Sequence, residues 1–331
     1  MTPALAPSRM LGFLLIPLFG LTLITCERGR PAAERPAGPP HAGPLRSSAA
    51  TSASSTADAS PTSATASASA APTPTAPCPA EMALVDRTCV DRWEAHLVQL
   101  QDHGGELRHS PYERPIEGAR YAARSAMGTV PQAYVNRDEA SNACANGGKR
   151  LCSLLEWYQA CRGARGTTWP YGNHMVRGKC NASKPHLLSR MYGSNPRAWK
   201  YAEHFNDPKL NQEPGFLAPT GTHSECVSDY GVYDMVGNLH EWVTDAVGPS
   251  LATKIPLRQD IHRKLVKNTG KAIFMGGFFS TTSEHGRGCA FVTIGHEKAY
   301  HDYSTGFRCC KAPASRAPTN LSTRESHDVA P

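Results

Sequence analysis

Ten of the eleven cysteines in this 331-residue chain fall between positions 78 and 310, and the eleventh, Cys26, follows an apolar N-terminal stretch. With Cys26 set apart, eleven less one leaves an even set of ten, which in an exported domain can close into five disulfides with no thiol left over. That set constrains the fold more tightly than any other feature, because it suits a loop-rich domain that short ladders alone would not hold. Zinc is the competing reading. Zinc ligands come as Cys pairs two to four residues apart, whereas the close pair here is the adjacent Cys309-Cys310. Cys78 and Cys89 flank the short run 79–88, which reads as a local hairpin clasp.

The segment ahead of these cysteines supports export. Arg9 precedes an apolar stretch over residues 10–24, shorter than the roughly 20 residues a spanning helix needs, so residues 1–26 read as a secretory signal. Leu23-Ile24-Thr25-Cys26 is similar to the lipobox of bacterial lipoproteins, with Thr25 where a smaller residue is usual. Two outcomes stay open, lipidation of Cys26 or ordinary cleavage that leaves a thiol. Lipidation implies a cell-envelope protein anchored to a membrane through its N-terminus. Residues 27–77 are mostly Ala, Ser, Thr and Pro, too poor in large apolar side chains to offset the entropy of ordering, and are expected to form a disordered tether. About 50 such residues give an average reach of roughly 40 Å. Residues 78–312 then form one domain, and 313–331 a polar tail. The net charge of +7 is mild, and no Lys/Arg-rich run interleaved with aromatics marks a nucleic-acid surface.

Local signals place few regular elements. Asn136 with Glu139, and Ser153 with Glu156, are capping-box signatures that start helices running to about Asn146 and Cys161. Short strands are expected over Met82–Val85, Ala272–Met275 and 290–293. Against this background stand five phrases: KRLCSLLEW at 149–157, ACRG at 160–163, GVYDMVGNLHEWV at 231–243, MGGFF at 275–279 and GFRCC at 306–310. Together they resemble the domain of formylglycine-generating enzymes, also called sulfatase-modifying factors, across roughly residues 78–312. The resemblance implies an α+β, irregular C-type-lectin-like fold with few helices, short antiparallel strands and many loops. It also implies the cystines Cys144–Cys309 and Cys161–Cys289, leaving Cys152, Cys180, Cys226 and Cys310, which we pair as Cys152–Cys310 and Cys180–Cys226.

The resemblance further implies calcium. Side chains at Asp234 and Glu241 and carbonyls at Gly237 and Leu239 match one calcium loop of the family, and Asn181 and Ala182 match part of a second. Oxygen donors around a glycine bend are what calcium takes. The alternatives are that Asp234 caps a turn, that Glu241 meets an Arg, and that Asn181 and Ala182 sit in a plain turn. Asn181-Ala182-Ser183 is also a glycosylation acceptor pattern, and the loop role is preferred. His240 stands where the family usually has Trp.

The chemistry departs from the family. Formylglycine generation uses two cysteines in the window after the double glycine to hold Cu(I), which soft thiolates select. Residues 278–288 contain no cysteine, and the serine that the family places after the double glycine is Phe278. Copper is therefore not expected. Glu284, His285, His296, Glu297, His301 and Asp302 could supply two His and a carboxylate to iron, or could be a solvated loop. Three functions follow. The leading one is a tethered module binding an envelope protein, a peptide or a small molecule around 278–287 and His301. The second is a metal- and oxygen-dependent oxidoreductase acting on an exported peptide or small molecule. The third is a purely structural envelope protein.

Overall fold

A computed structural model describes residues 76–281 and 286–314. Cys26 and the signal segment, nearly all of the 27–77 tract, nearly all of the tail, and Glu284 and His285 lie outside the described residues. Among the described residues no helix is long and apolar enough to cross a membrane.

Three small sheets carry the backbone. The first runs β1 (Met82–Val85), β2 (Thr88–Asp91), β11 (Cys309–Lys311) and β6 (Arg150–Leu151), with antiparallel neighbours throughout. The second orders β10 (Thr305–Phe307), β7 (His240–Ala246), β8 (Ala272–Met275) and β9 (Val292–Thr293), in which β10 pairs parallel with β7. The third is β4 (Glu106–Arg108), β3 (Ala95–Leu100) and β5 (Tyr121–Ser125). Only Arg308 separates β10 from β11, so the last strands pass directly from the second sheet to the first. The expected strand over 290–293 is corrected. Gly288–Ala290 is a 3-10 turn, and the strand shrinks to Val292–Thr293, where Val292 and Thr293 pair with Met275 and Phe274.

Both capping boxes form. Asn136 Oδ1 accepts the Glu139 N–H at 2.9 Å while Glu139 Oε2 accepts that of Asn136 at 2.8 Å, which starts α1 (Arg137–Asn146). Ser153 and Glu156 do the same for α2 (Leu154–Arg162). The two helices satisfy otherwise orphaned N–H groups locally, so their starts need no tertiary partner. Trp157 of α2 and Trp242 of β7 are fully buried. Each contributes about 4–6 kcal/mol of apolar transfer energy, before chain entropy is set against it. Their indole N–H groups donate to Glu241 and to the Val135 carbonyl, each at 2.8 Å.

Five disulfides fasten these short elements: Cys78–Cys89, Cys144–Cys309, Cys152–Cys310, Cys161–Cys289 and Cys180–Cys226. They are the pairs set out from the sequence. The adjacent Cys309 and Cys310 reach opposite ways because side chains alternate along a strand, Cys309 to α1 and Cys310 to the start of α2.

Candidate functional site

Four of the five sequence phrases meet in one buried knot. Arg308, between β10 and β11, has no exposed side-chain surface. All five of its N–H groups are used: Nε and Nη2 reach the two oxygens of Glu241 at 2.6 Å each, Nη2 also reaches the Tyr233 carbonyl at 2.9 Å, and Nη1 meets the carbonyls of Asp91 and Arg92. Trp157 donates to the same Glu241 carboxylate. Gly276 presses on that indole with φ +83°, and a Cβ there would fall 2.9 Å from Trp157 and 2.8 Å from the Met235 carbonyl. The phrases that carry the family resemblance therefore hold the core together.

Strand alternation turns the next residue the other way. In β7, Glu241 faces the knot and His240 faces a cavity of about 370 Å³. The double glycine delivers Phe278 to the same cavity, and the Phe278 N–H is fixed by Thr281 Oγ1 at 2.8 Å while Ser280 Oγ donates to the Pro185 carbonyl at 2.9 Å. Buried Phe274, Phe291 and Tyr303 form much of the remaining wall, and half-buried Phe205, His296 and Tyr300 its rim. The rings meet at steep and shallow angles: Phe278 lies 5.7 Å from Tyr303 at 85° and 5.1 Å from His240 at 42°, and His296 lies 3.8 Å from Tyr300.

One carboxylate enters this aromatic wall. Asp302 is 4 % exposed and lines the cavity. Its Oδ1 accepts from the Ser304 N–H at 2.8 Å and hydroxyl at 2.7 Å, and Oδ2 accepts from the Tyr300 phenol. Burial pushes the carboxyl upward, and the three hydrogen-bond donors pull it back in part. Burial together with the Asp302 charge drives the Tyr300 phenol far above its ordinary range, so it stays a neutral donor. Among the described residues no Lys or Arg lines the cavity.

Of the sequence candidates for this region, the structure brings Phe278, Ser280, Thr281, His296 and Asp302 to the cavity and separates two others from it. His301 turns away. Its Nδ1 meets the Ala299 carbonyl and its ring packs 5.8 Å from Tyr201, because Asp302 next in the chain takes the inward position. Arg287 lines a different cavity of about 480 Å³ beside Tyr158 and Pro256. Sequence reasoning missed His240 as a wall residue, although its replacement of the usual Trp was the available signal. It also missed Phe205, Phe274, Phe291, Tyr300 and Tyr303, which come from segments with no shared motif.

The calcium loops can be tested against the donors present. Asp234 sits at φ 57° and accepts the Gly221 N–H at 2.7 Å. Glu94, fully buried, accepts from the Asn238 side chain and from the Leu239 N–H. Around Arg308 there are thus three buried carboxylates, Glu94, Asp234 and Glu241, and a single guanidinium, an excess of two negative charges when all are ionised. Desolvation and mutual repulsion raise Glu94 well above its ordinary value and Asp234 to about 6, which is how a site starved of positive charge behaves. Among the described residues no three His, Cys, Asp or Glu side chains converge on one metal position by themselves. A calcium ion fits only with carbonyl help, as from Gly237 and Leu239. In the second loop Asn181 is 1 % exposed and its Oδ1 has no hydrogen-bond partner, an oxygen placed to meet a cation. The same burial closes Asn181 to a glycan in the folded domain.

Residues 94–313 match the family described as the sulfatase-modifying factor enzyme 1-like domain. Among curated relatives, the inactive C-alpha-formylglycine-generating enzyme 2 of Bos taurus is 30% identical over 153 residues, 41% of this chain and 45% of the relative. The formylglycine-generating enzyme of Mus musculus is 25% identical over 144 residues, 41% of this chain and 34% of the relative. The chain spans less than half the length of either. Among solved structures, the Major Tropism Determinant U1 variant overlaps 72% of this chain and 54% of its own, at 14% identity and a TM-score of 0.38.

Proposed function

This chain belongs to the sulfatase-modifying factor enzyme 1-like domain family, and on that premise we propose a member that binds a ligand in the aromatic cavity and does not generate formylglycine. The observation that carries this is the state of the thiols. All ten cysteines from Cys78 to Cys310 are joined in disulfides, so none of them is available as a thiolate for Cu(I). Where the family's serine stands, Phe278 contributes a wall instead. A half-open aromatic cavity with one buried acid is the ordinary form of a small-molecule or side-chain site. The occupant would be a small molecule or a segment of an envelope protein or peptide. Export and a lipid anchor at Cys26 belong to the same proposal, supported by the N-terminal sequence.

Calcium is proposed as a resident ion of the knot, held by Asp234 and Glu241 with the carbonyls of Gly237 and Leu239, and a second at Asn181 and Ala182. It would supply charge and rigidity and take no part in a reaction. A metal- and oxygen-dependent oxidoreductase is the second reading: His186, His240 and His296 line one cavity, without three ligands converging on one metal position among the described residues. A single experiment separates the readings. The purified chain, analysed for metals, is incubated with a cysteine-containing peptide, dioxygen, a thiol reductant and added Cu(I), and the peptide is followed by mass spectrometry. No aldehyde and substoichiometric iron and copper are expected. Aldehyde formation overturns the proposal, and one iron per chain moves the site to oxygen chemistry.

A further inference from the structure

We propose that the aromatic cavity is a cage for a small quaternary or fully methylated ammonium ion, an inference that rests on the cavity being the ligand site. Four observations combine. Among the described residues nine of the fourteen lining side chains carry rings, set at differing angles, with Phe278 steep to Tyr303 and oblique to His240, and Phe274 4.7 Å from His240. The π-faces of such rings are negative, and a cation enclosed by several of them gains more than one resting on a single exposed ring.

Next, the cavity contains a carboxylate. Asp302 accepts three hydrogen bonds, which leaves about one of its four lone-pair positions for the cavity. Among the described residues it is the only acidic side chain on the wall, and no Lys or Arg accompanies it, although the chain as a whole carries a net charge of +7. Its charge has no guanidinium or ammonium partner in any ion pair among the described residues. The three histidines on the wall are the other titratable groups facing the site, together with the phenols of Tyr300 and Tyr303. Neutral imidazoles add π-surface, so binding is measured above their ordinary titration range.

Then the hydrogen-bond chemistry selects among cations. A primary ammonium needs three acceptors to replace its water, whereas the wall hydroxyls of Ser280, Thr281 and Ser304 are already engaged with the Pro185 carbonyl, the Phe278 N–H and Asp302, which leaves the open carboxylate lobe as the strongest acceptor. A methylated head needs none, because it presents a diffuse charge on carbon. The fourth observation is size. About 370 Å³ accommodates a trimethylammonium head with a short tail and lies at the small end of ligand cavities. Aromatic surface alone also suits a flat neutral ring, and it is Asp302, the one acid on the wall among the described residues, that decides for a cation.

The test uses the full chain at pH 8 with three probes: choline, its neutral carbon isostere 3,3-dimethyl-1-butanol, and indole. Binding is followed by calorimetry and by saturation-transfer NMR. Choline is expected to bind at least tenfold more tightly than the isostere. Phe278→Leu, at a half-buried rim position, is expected to weaken choline fivefold or more while leaving the circular dichroism unchanged, and Asp302→Asn to weaken it further. If Asp302→Asn does not fold, the Phe278 variant and the isostere ratio still decide. Equal binding of choline and the isostere overturns the cage. Indole binding that depends on Phe278, with choline silent, overturns the cage and leaves the ligand site standing. Silence from all three overturns both.

Discussion

Arg308 shows how one residue can serve as the hub of a small domain. Its guanidinium is fully buried, yet every N–H is matched, which is the condition under which a buried cation is tolerated. Removing it strands Glu241 and deepens the repulsion among Glu94, Asp234 and Glu241. Arg308→Met should therefore destabilise the domain by about 3–5 kcal/mol, read as a shift in the urea midpoint. Arg308→Lys should recover little, because an ammonium cannot reproduce the bidentate fork or reach the carbonyls of Asp91 and Tyr233. Arg308→Lys with wild-type stability would show that charge alone, and not the fork, holds the knot.

At the scale of elements, the same logic of satisfied donors explains the helix starts and gives them a pH dependence. Glu156 closes the cap of α2 and also receives both guanidinium nitrogens of Arg150 and the Thr88 hydroxyl. Burial pushes its carboxyl up, but the hydrogen bonds from Arg150, Ser153 and Thr88 outweigh that and hold it at about 2. A carboxyl depressed in the folded state stabilises above its unfolded value and loses that stabilisation as pH falls toward the folded one. Wild type should exceed Glu156→Gln by about 1–2 kcal/mol at pH 6, screened because the pair is partly solvated, with the gap closing between pH 4.5 and 2.5. A gap independent of pH would assign the loss to packing.

Those caps were legible in the sequence because two residues three positions apart decide each of them. The sheet of β3, β4 and β5 was not, since four buried residues in succession at the start of β3 remove the alternation that marks a strand. Strand β9 was legible in place but not in extent, which is set by its partner β8. The knot was legible as phrases but not as a knot. The cavity was legible at Phe278, Ser280, Thr281, His296 and Asp302 and not beyond them, because its walls come from segments as distant as His186 and Ser304.

The whole molecule has a charge problem that its disulfides cannot solve. Five cystines limit the unfolded chain and fix the ends of the short strands, but the core still contains three carboxylates around one guanidinium. Either protons stay on Glu94 and Asp234 or a divalent cation offsets them, and the two solutions differ in what they respond to. A calcium ion bound only by the folded state would stabilise by RT ln(1 + [Ca]/Kd), about 2.7 kcal/mol at a hundredfold excess over Kd. For a domain of this size each kcal/mol moves Tm by about 2–4 °C, so EGTA should lower Tm by roughly 5–10 °C, with calcium and not magnesium restoring it. Asp234→Asn should abolish the calcium response while keeping the disulfides closed. A Tm at pH 7.5 indifferent to EGTA, in a chain free of bound calcium, would overturn the calcium proposal. In that case stability should fall as pH rises from the ordinary carboxyl range through the raised values of Asp234, about 6, and of Glu94, because over that window the folded state binds protons that the unfolded chain has already released.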